Sequence, residues 1–239
     1  MELQNSFARL LRKAVATTLI AGTLVLAIYG AYSWQREESE VRESLGILSG
    51  FLASASQAFF DNIGNGMSPL GQLLEQRDVL RHPERARQHL LAFQERYPEA
   101  VAIAVFAPDG RMLINTAVEP GMELPDFRKD PPYLARLLHD MADPSLYVVS
   151  PPEIGKAILR WRFSIRHVVR NSDGQPLFLV QAAIPLERKG TFLHQLPVPA
   201  SSEIGLLRGD GHEQARWPVE DANAIYGRLS TGDAARTIR

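Results

Sequence analysis

No cysteine occurs in the chain, which rules out a disulfide framework and any thiolate metal site. An excess of charge is lacking as well. The 26 Lys and Arg stand against 27 Asp and Glu, for a formal net charge of −1. So even a balance gives no long-range attraction to nucleic acid, and none is expected as a partner. Catalytic signatures are missing too. The six histidines, His82, His89, His139, His167, His194 and His212, form no H-E-x-x-H spacing, so no metal ligand is assigned. No G-x-S-x-G marks a nucleophile elbow. GNGM at 64–67 lacks the Lys-Ser/Thr of a phosphate loop and reads as a helix breaker. No catalytic residue and no cofactor is expected.

One long uncharged run is present. From Ala14 to Gln35 the chain reads AVATTLIAGTLVLAIYGAYSWQ, which at a helical rise of ~1.5 Å per residue spans the ~30 Å hydrocarbon core. Arg9, Arg12 and Lys13 precede it, and Arg36, Glu37, Glu38 and Glu40 follow. The positive-inside bias leaves the N-terminus in the cytoplasm and sends the bulk of the chain outward, to the periplasm. A cleaved signal peptide has an apolar region of only about 7–15 residues, so an uncleaved anchor in the inner membrane is expected.

Beyond the anchor, Val41, Leu45, Leu48, Leu52, Ala55 and Phe59 recur in alternating steps of four and three. That spacing is either a homodimer seam or one stripe packed on the helix's own domain. Asn62 to Gly66 is expected to break this helix, and Pro69 to Leu80 and Pro83 to Tyr97 to form two more. From Ala100 the period changes to two. VAIAVFA, the turn Pro108-Asp109-Gly110 and RMLINTA make a hairpin. A Pro/Gly/Asp-rich loop follows, then a short helix from Tyr133 to His139. Three further strands are SLYVVS, AILRWRFSIRHVV and PLFLVQAAI, the last two joined by Asn171-Ser-Asp-Gly. This order predicts an α+β domain with a five-stranded antiparallel sheet. LERKGTFLHQL reads as a connecting helix, and SEIGLLRGDGHEQARWP repeats the first hairpin, with a helical segment VEDANAIYGRL after it.

The ordered set FAPDGRMLINT, DPPYLARL, YVVSPP, LRWRFSIRHVV and DGQPLFLVQAAI, behind an anchor and a long helix, resembles double Cache domains. These are the PAS-like extracytoplasmic input modules of bacterial diguanylate cyclases, sensor kinases and chemoreceptors. The resemblance implies two sheets strung on one long helix, each opened by a strand–DG–strand hairpin. It divides the chain into 1–13, a cytoplasmic N-terminus; 14–35, the transmembrane helix; 36–99, a helical stalk with packing helices; 100–186, the membrane-distal Cache domain; and 187–239, a linker helix with an incomplete second unit.

The resemblance also implies a small-molecule ligand in the membrane-distal unit. Tyr133 matches the tyrosine of the family's D-R-x-Y-F stretch, Trp161 the aromatic of its G-R-W strand with Arg160 beside it, and Arg166 a basic residue a few positions later. The aspartate that grips an amino-acid ammonium falls at Ala183, so an anionic or aromatic ligand is expected instead. Strand alternation puts Trp161 on one face with Leu159, Phe163 and Ile165, which by itself reads as core. Arg160, Arg162 and Arg166 fall on the opposite face, which by itself reads as solvated. No regular strand brings Trp161 and the arginines together, and the Tyr133–Trp161 side is favoured for the site. Arg128 and Lys129 read as solvated.

After Gln35 no uncharged run is long enough to span a membrane, and nothing resembles the GGDEF or EAL signatures or a kinase core. The expected function is therefore a sensor input segment of a transmembrane signalling protein, truncated before its output. That output is expected to be a diguanylate cyclase, with a histidine kinase next. The alternative is a membrane-anchored structural or assembly protein whose Cache-like fold binds a protein partner. It would show a broad exposed apolar patch in place of a polar concave site.

Overall fold

The computed structural model describes residues 2–187, 193, 202–209, 211–219 and 221–226, with residues 2–16 given by backbone alone. The chain divides into two compact units, Met1–Ser54 and Ala55–Arg239.

Helix α1, Glu2–Gln76, supplies the whole described part of the first unit. Leu19, Leu24, Leu26 and Ile28 are exposed there, and the helix is long and apolar enough to cross a membrane. Its residues from Ala55 belong to the second unit, where the expected break at Asn62–Gly66 and a separate helix from Pro69 to Leu80 are not found. α1 runs through both, with Pro69 inside it. The glycines at 64 and 66 are places of close approach: a Cβ at Gly64 would enter the Tyr147 ring, and one at Gly66 the Tyr97 phenol. Each glycine costs a helix roughly 1 kcal/mol. Burial of Ile63, Met67, Leu70 and Leu74 on the same stretch returns about 1.5–3 kcal/mol per side chain. Packing therefore overrides local propensity. The helix stops where Asp78 takes φ 54°, a left-handed conformation that Asp tolerates better than most residues. Helix α2, Pro83–Arg96, follows with Pro at its start and Ala86, Leu90 and Phe93 buried.

The sheet comprises β1 (Ala102–Phe106), β2 (Met112–Asn115), β3 (Val148–Val149), β4 (Glu153–Ile154), β5 (Trp161–Arg170) and β6 (Pro176–Pro185). Every pairing is antiparallel, in the order β2-β1-β6-β5-β3, with β4 also on β5. The five expected strands are present and β4 is added. Gly110 takes φ 82°, as its turn demands. Ala107 N–H bonds the Arg111 carbonyl and Gly110 N–H the Ala107 carbonyl. The same pair of bonds recurs at Asn171–Gln175 and at Arg208–His212. The last of these closes β7 (Ile204–Leu207) on β8 (Glu213–Trp217), a two-stranded sheet followed by the short helix α4, Ala222–Ile225. The expected connecting helix from Leu186 lies outside the described residues apart from Leu186, Glu187 and Leu193. So does whatever follows Tyr226.

One sheet face packs on α1, where Phe60 meets Phe163 edge-on at 5.8 Å between ring centroids. The other face is covered by a 3-10 turn, Phe127–Lys129, and by helix α3, Pro131–Ala142. There Ala104, Phe106, Phe127, Tyr133, Leu137 and Leu179 belong to one buried apolar cluster.

Candidate ligand site

Strand register lays out the covered face in rows. Across β2, β1, β6 and β5 one row reads Asn115, Ala104, Gln181, Arg166, and the next reads Ala102, Ala183, Ser164. Arg162 stands one step further along β5, opposite Glu153 of β4. Residues two apart on a strand share a face, so Arg162, Ser164 and Arg166 point the same way. Above them lies α3, whose N-terminus is capped by Asp130 accepting from Tyr133 N–H at 3.2 Å. Its buried stripe is Tyr133, Leu137, Asp140 and Met141, which aims a phenol and a carboxylate at the sheet.

Arg166 is only 2% exposed, and burial of an unpaired charge is prohibitive. Its donors are accordingly matched. Nε donates to Gln181 Oε1 at 2.9 Å, Nη1 to Asp140, and Nη2 to Tyr133 Oη at 3.3 Å. Tyr133 Oη donates in turn to Gln181 Oε1 at 3.3 Å. Glu153 Oε1 lies 3.0 Å from Arg162 and 3.6 Å from Arg166, and its other oxygen is 3.3 Å from Arg136. Arg162 Nη1 also donates to Ser164 Oγ. Burial alone would lower the pKa of Arg166; Tyr133, Glu153 and Asp140 reverse this and leave it raised. At the rim, Lys156 sits 2.8 Å from Asp130, holding that carboxyl below its usual range, and 5.1 Å from the Phe127 ring centroid.

Next to this network is a cavity of about 20 Å³ with a floor of Ala102, Ala104 and Ala183. It has room for about one water. Lys156, Ala157 and Ile158 close it, while Asn115, Gln181 and Arg162 supply its polar wall.

The residues singled out from the sequence separate here. Tyr133 and Arg166 meet directly. Trp161 does not join them: its indole N–H donates to Asn223 Oδ1 at 2.8 Å and its ring lies 5.6 Å from that of Tyr226. No bulge re-aims β5 between Arg162 and Val169, so the Tyr133–Trp161 pairing is replaced by Tyr133–Arg166. Arg160 precedes the strand, beside Leu159 at φ 50°, and is exposed. Arg162 and Arg166, expected to be solvated, are buried, because α3 and β4 bring Asp140 and Glu153 over that face. Arg128 and Lys129 are exposed as expected. Gln181, Asp140, Glu153 and Asn115 escaped the sequence reading. Gln181 had a legible signal: it is the one polar residue in PLFLVQAAIP, and a polar group at the centre of an apolar strand needs a partner.

No protein-family model and no curated protein matches the chain. Solved structures do match its fold. The ligand-binding domain of the Pseudomonas fluorescens chemoreceptor CtaA, in complex with L-isoleucine, is 17% identical with a TM-score of 0.50, over 81% of this chain and 75% of that one. An extracellular ligand binding receptor from Desulfohalobium retbaense is 16% identical with a TM-score of 0.51, over 80% of this chain and 34% of that one. The ligand-binding domain of the Pseudomonas aeruginosa chemoreceptor PctB, in complex with L-Gln, is 19% identical with a TM-score of 0.45, over 75% and 72%. The fold is that of extracellular sensor domains, as the resemblance to double Cache domains implied.

Proposed function

We propose that the chain is the extracytoplasmic input segment of a membrane-anchored bacterial receptor and binds a small molecule beneath α3. The observation that carries this reading is the buried polar network of Tyr133, Asp140, Arg166 and Gln181 under α3, beside a closed cavity of about 20 Å³ floored with alanine. The site is non-catalytic in this reading, and the chain crosses the inner membrane once, through residues 14–35, with its bulk in the periplasm. The exposed Val41 and Leu45 then form a seam with a second copy. A ligand shifts the receptor only by its differential affinity for two states. β3 offers a route to α1, since Val148 pairs with Arg166 while the neighbouring Tyr147 donates to Asp61 at 2.5 Å. The output is a diguanylate cyclase, with a histidine kinase as the second choice, and this rests on analogy of fold.

The test is a thermal-shift screen of amino acids, small carboxylates and aromatic compounds on the full chain in nanodiscs, wild type against Tyr133→Ala. A compound should raise the wild-type melting temperature and lose that effect in the variant. Equal stabilisation of both proteins would show that Tyr133 lines no site.

A further inference from the structure

We propose a second site, apart from the network beneath α3: a groove on the open edge of the sheet that takes an apolar ammonium ion, one protonated amine on a short aryl or alkyl body. β2 ends the sheet, with β1 on one side and no strand on the other among the described residues. A cavity of about 270 Å³ lies along that edge, between the start of α2 and the loop 118–124. Leu113 and Ile114 both line it. Neighbours on a strand point to opposite faces of a sheet, so a cavity that touches both lies across the edge. Only Asn115 is common to this lining and that of the cavity under α3. Val118 and Leu124 extend the apolar wall, and Met122, 65% exposed, leaves its hydrocarbon to water until an occupant covers it.

Arg87 decides which kind of occupant fits. Its Nη1 donates to the Asn115 and Val118 carbonyls at 3.2 and 2.9 Å, and its Nη2 to that of Thr116 at 3.1 Å. A charged side chain laid on a sheet edge closes it to strand addition, so an extended peptide would first have to displace Arg87. The same bonds turn its charge onto backbone oxygens. Among the described residues it makes no ion pair with either carboxylate of the lining, Glu84 or Glu119. Glu84 has only His82 at 3.6 Å and Arg85 at 4.0 Å, and Glu119 has no basic partner among the described residues. An ammonium group therefore finds two carboxylates, and an anion is repelled by both. Exposed ion pairs add little by themselves, so the hydrocarbon body must fill the apolar wall as well. The volume falls just short of the roughly 300–1,000 Å³ that holds a drug-sized ligand, which limits that body to about one ring. None of this depends on a ligand beneath α3.

The experiment is titration calorimetry on the full chain in zwitterionic nanodiscs, with the heat of empty discs subtracted. The probes are phenethylamine, phenylpropionate as the same body with the opposite charge, methylamine as the charge without the body, and the peptide acetyl-Lys-Val-Lys-Val-Lys-amide. The variants are Glu84→Gln, Glu119→Gln and the two together. Glu123→Gln is the control, since Glu123 is exposed and lies between two lining residues without lining the groove itself. Phenethylamine should bind the wild type saturably, and phenylpropionate and methylamine should not. Each single variant should weaken the amine about two- to fivefold and the double variant about tenfold, while Glu123→Gln leaves it unchanged. If the double variant does not fold, the two single variants decide. No saturable heat with phenethylamine, wild-type affinity in the folded lining variants, or phenylpropionate bound as tightly as the amine overturns the proposal. Binding of the peptide in place of the amine overturns it too, because the edge would then accept a strand.

Discussion

Asp140 and Arg166 meet where neither is open to bulk water, so removing one charge strands the other. Loss of one partner from a buried pair costs about 3–5 kcal/mol, and Glu153, 3.6 Å from Arg166, takes over part of the pairing. Asp140→Asn is therefore expected to destabilise the domain by about 3 kcal/mol, read as a lower urea midpoint. The double variant Asp140→Leu with Arg166→Met, which removes both charges, should cost less than the single one. His167 makes a different prediction. Burial lowers its pKa from 6.5, against the raising effect of its Nδ1–H bond to the Leu146 carbonyl at 2.6 Å. A histidine harder to protonate folded than unfolded leaves more protons on the unfolded chain, so its stabilising effect is complete above the unfolded value and is lost as pH falls through it. Thermal stability should fall below about pH 6.5, and His167→Phe should flatten that slope. The alternation that puts Arg162 and Arg166 on one face was readable residue by residue. Which face would be covered was not, because Asp140 and Glu153 arrive from elements 26 and 9 positions away along the chain.

At the scale of elements, local signals served well where structure is local. The three Asp-Gly turns and the Pro83 start of α2 were all readable from turn and cap chemistry. The break expected in α1 failed because helix glycines were read for propensity, whereas Gly64 and Gly66 sit under Tyr147 and Tyr97 from later segments. This sets up a contrast within one helix. Gly64→Ala gains about 1 kcal/mol in propensity but forces a methyl group into a ring, where overpacking costs about 1–3 kcal/mol or more. It should lower the melting temperature of the domain. Gly50→Ala, with nothing within 4 Å of the added carbon, should not.

At the scale of the whole molecule, β7 and β8 form a sheet with no third strand among the described residues, and such a pair is marginal in water. It is held by Trp161 on Asn223 and Tyr226, and by Gln214 Nε2 donating to the Ser150 carbonyl at 3.0 Å. Hydrogen exchange in β7–β8 should be far faster than in β1 and β6, and faster again in Trp161→Ala. Comparable protection in both sheets would mark the second hairpin as a finished structure.

The order of strands also governs how the domain comes into being. β1 lies between β2, its neighbour in sequence, and β6, whose Gln181 faces Ala104 across 77 intervening steps of chain. The β1–β2 and β5–β6 hairpins are local, but pairing β1 with β6 closes a long loop, whose entropic cost must be met before that contact forms. While the chain emerges from N- to C-terminus, the inner edge of β1 stays unpaired until β6 follows it out. Gln181 and Asn115 are therefore strangers until the last strand of the first sheet arrives. The first sheet is complete only with that strand, and the nascent chain has no buried network beneath α3 before it.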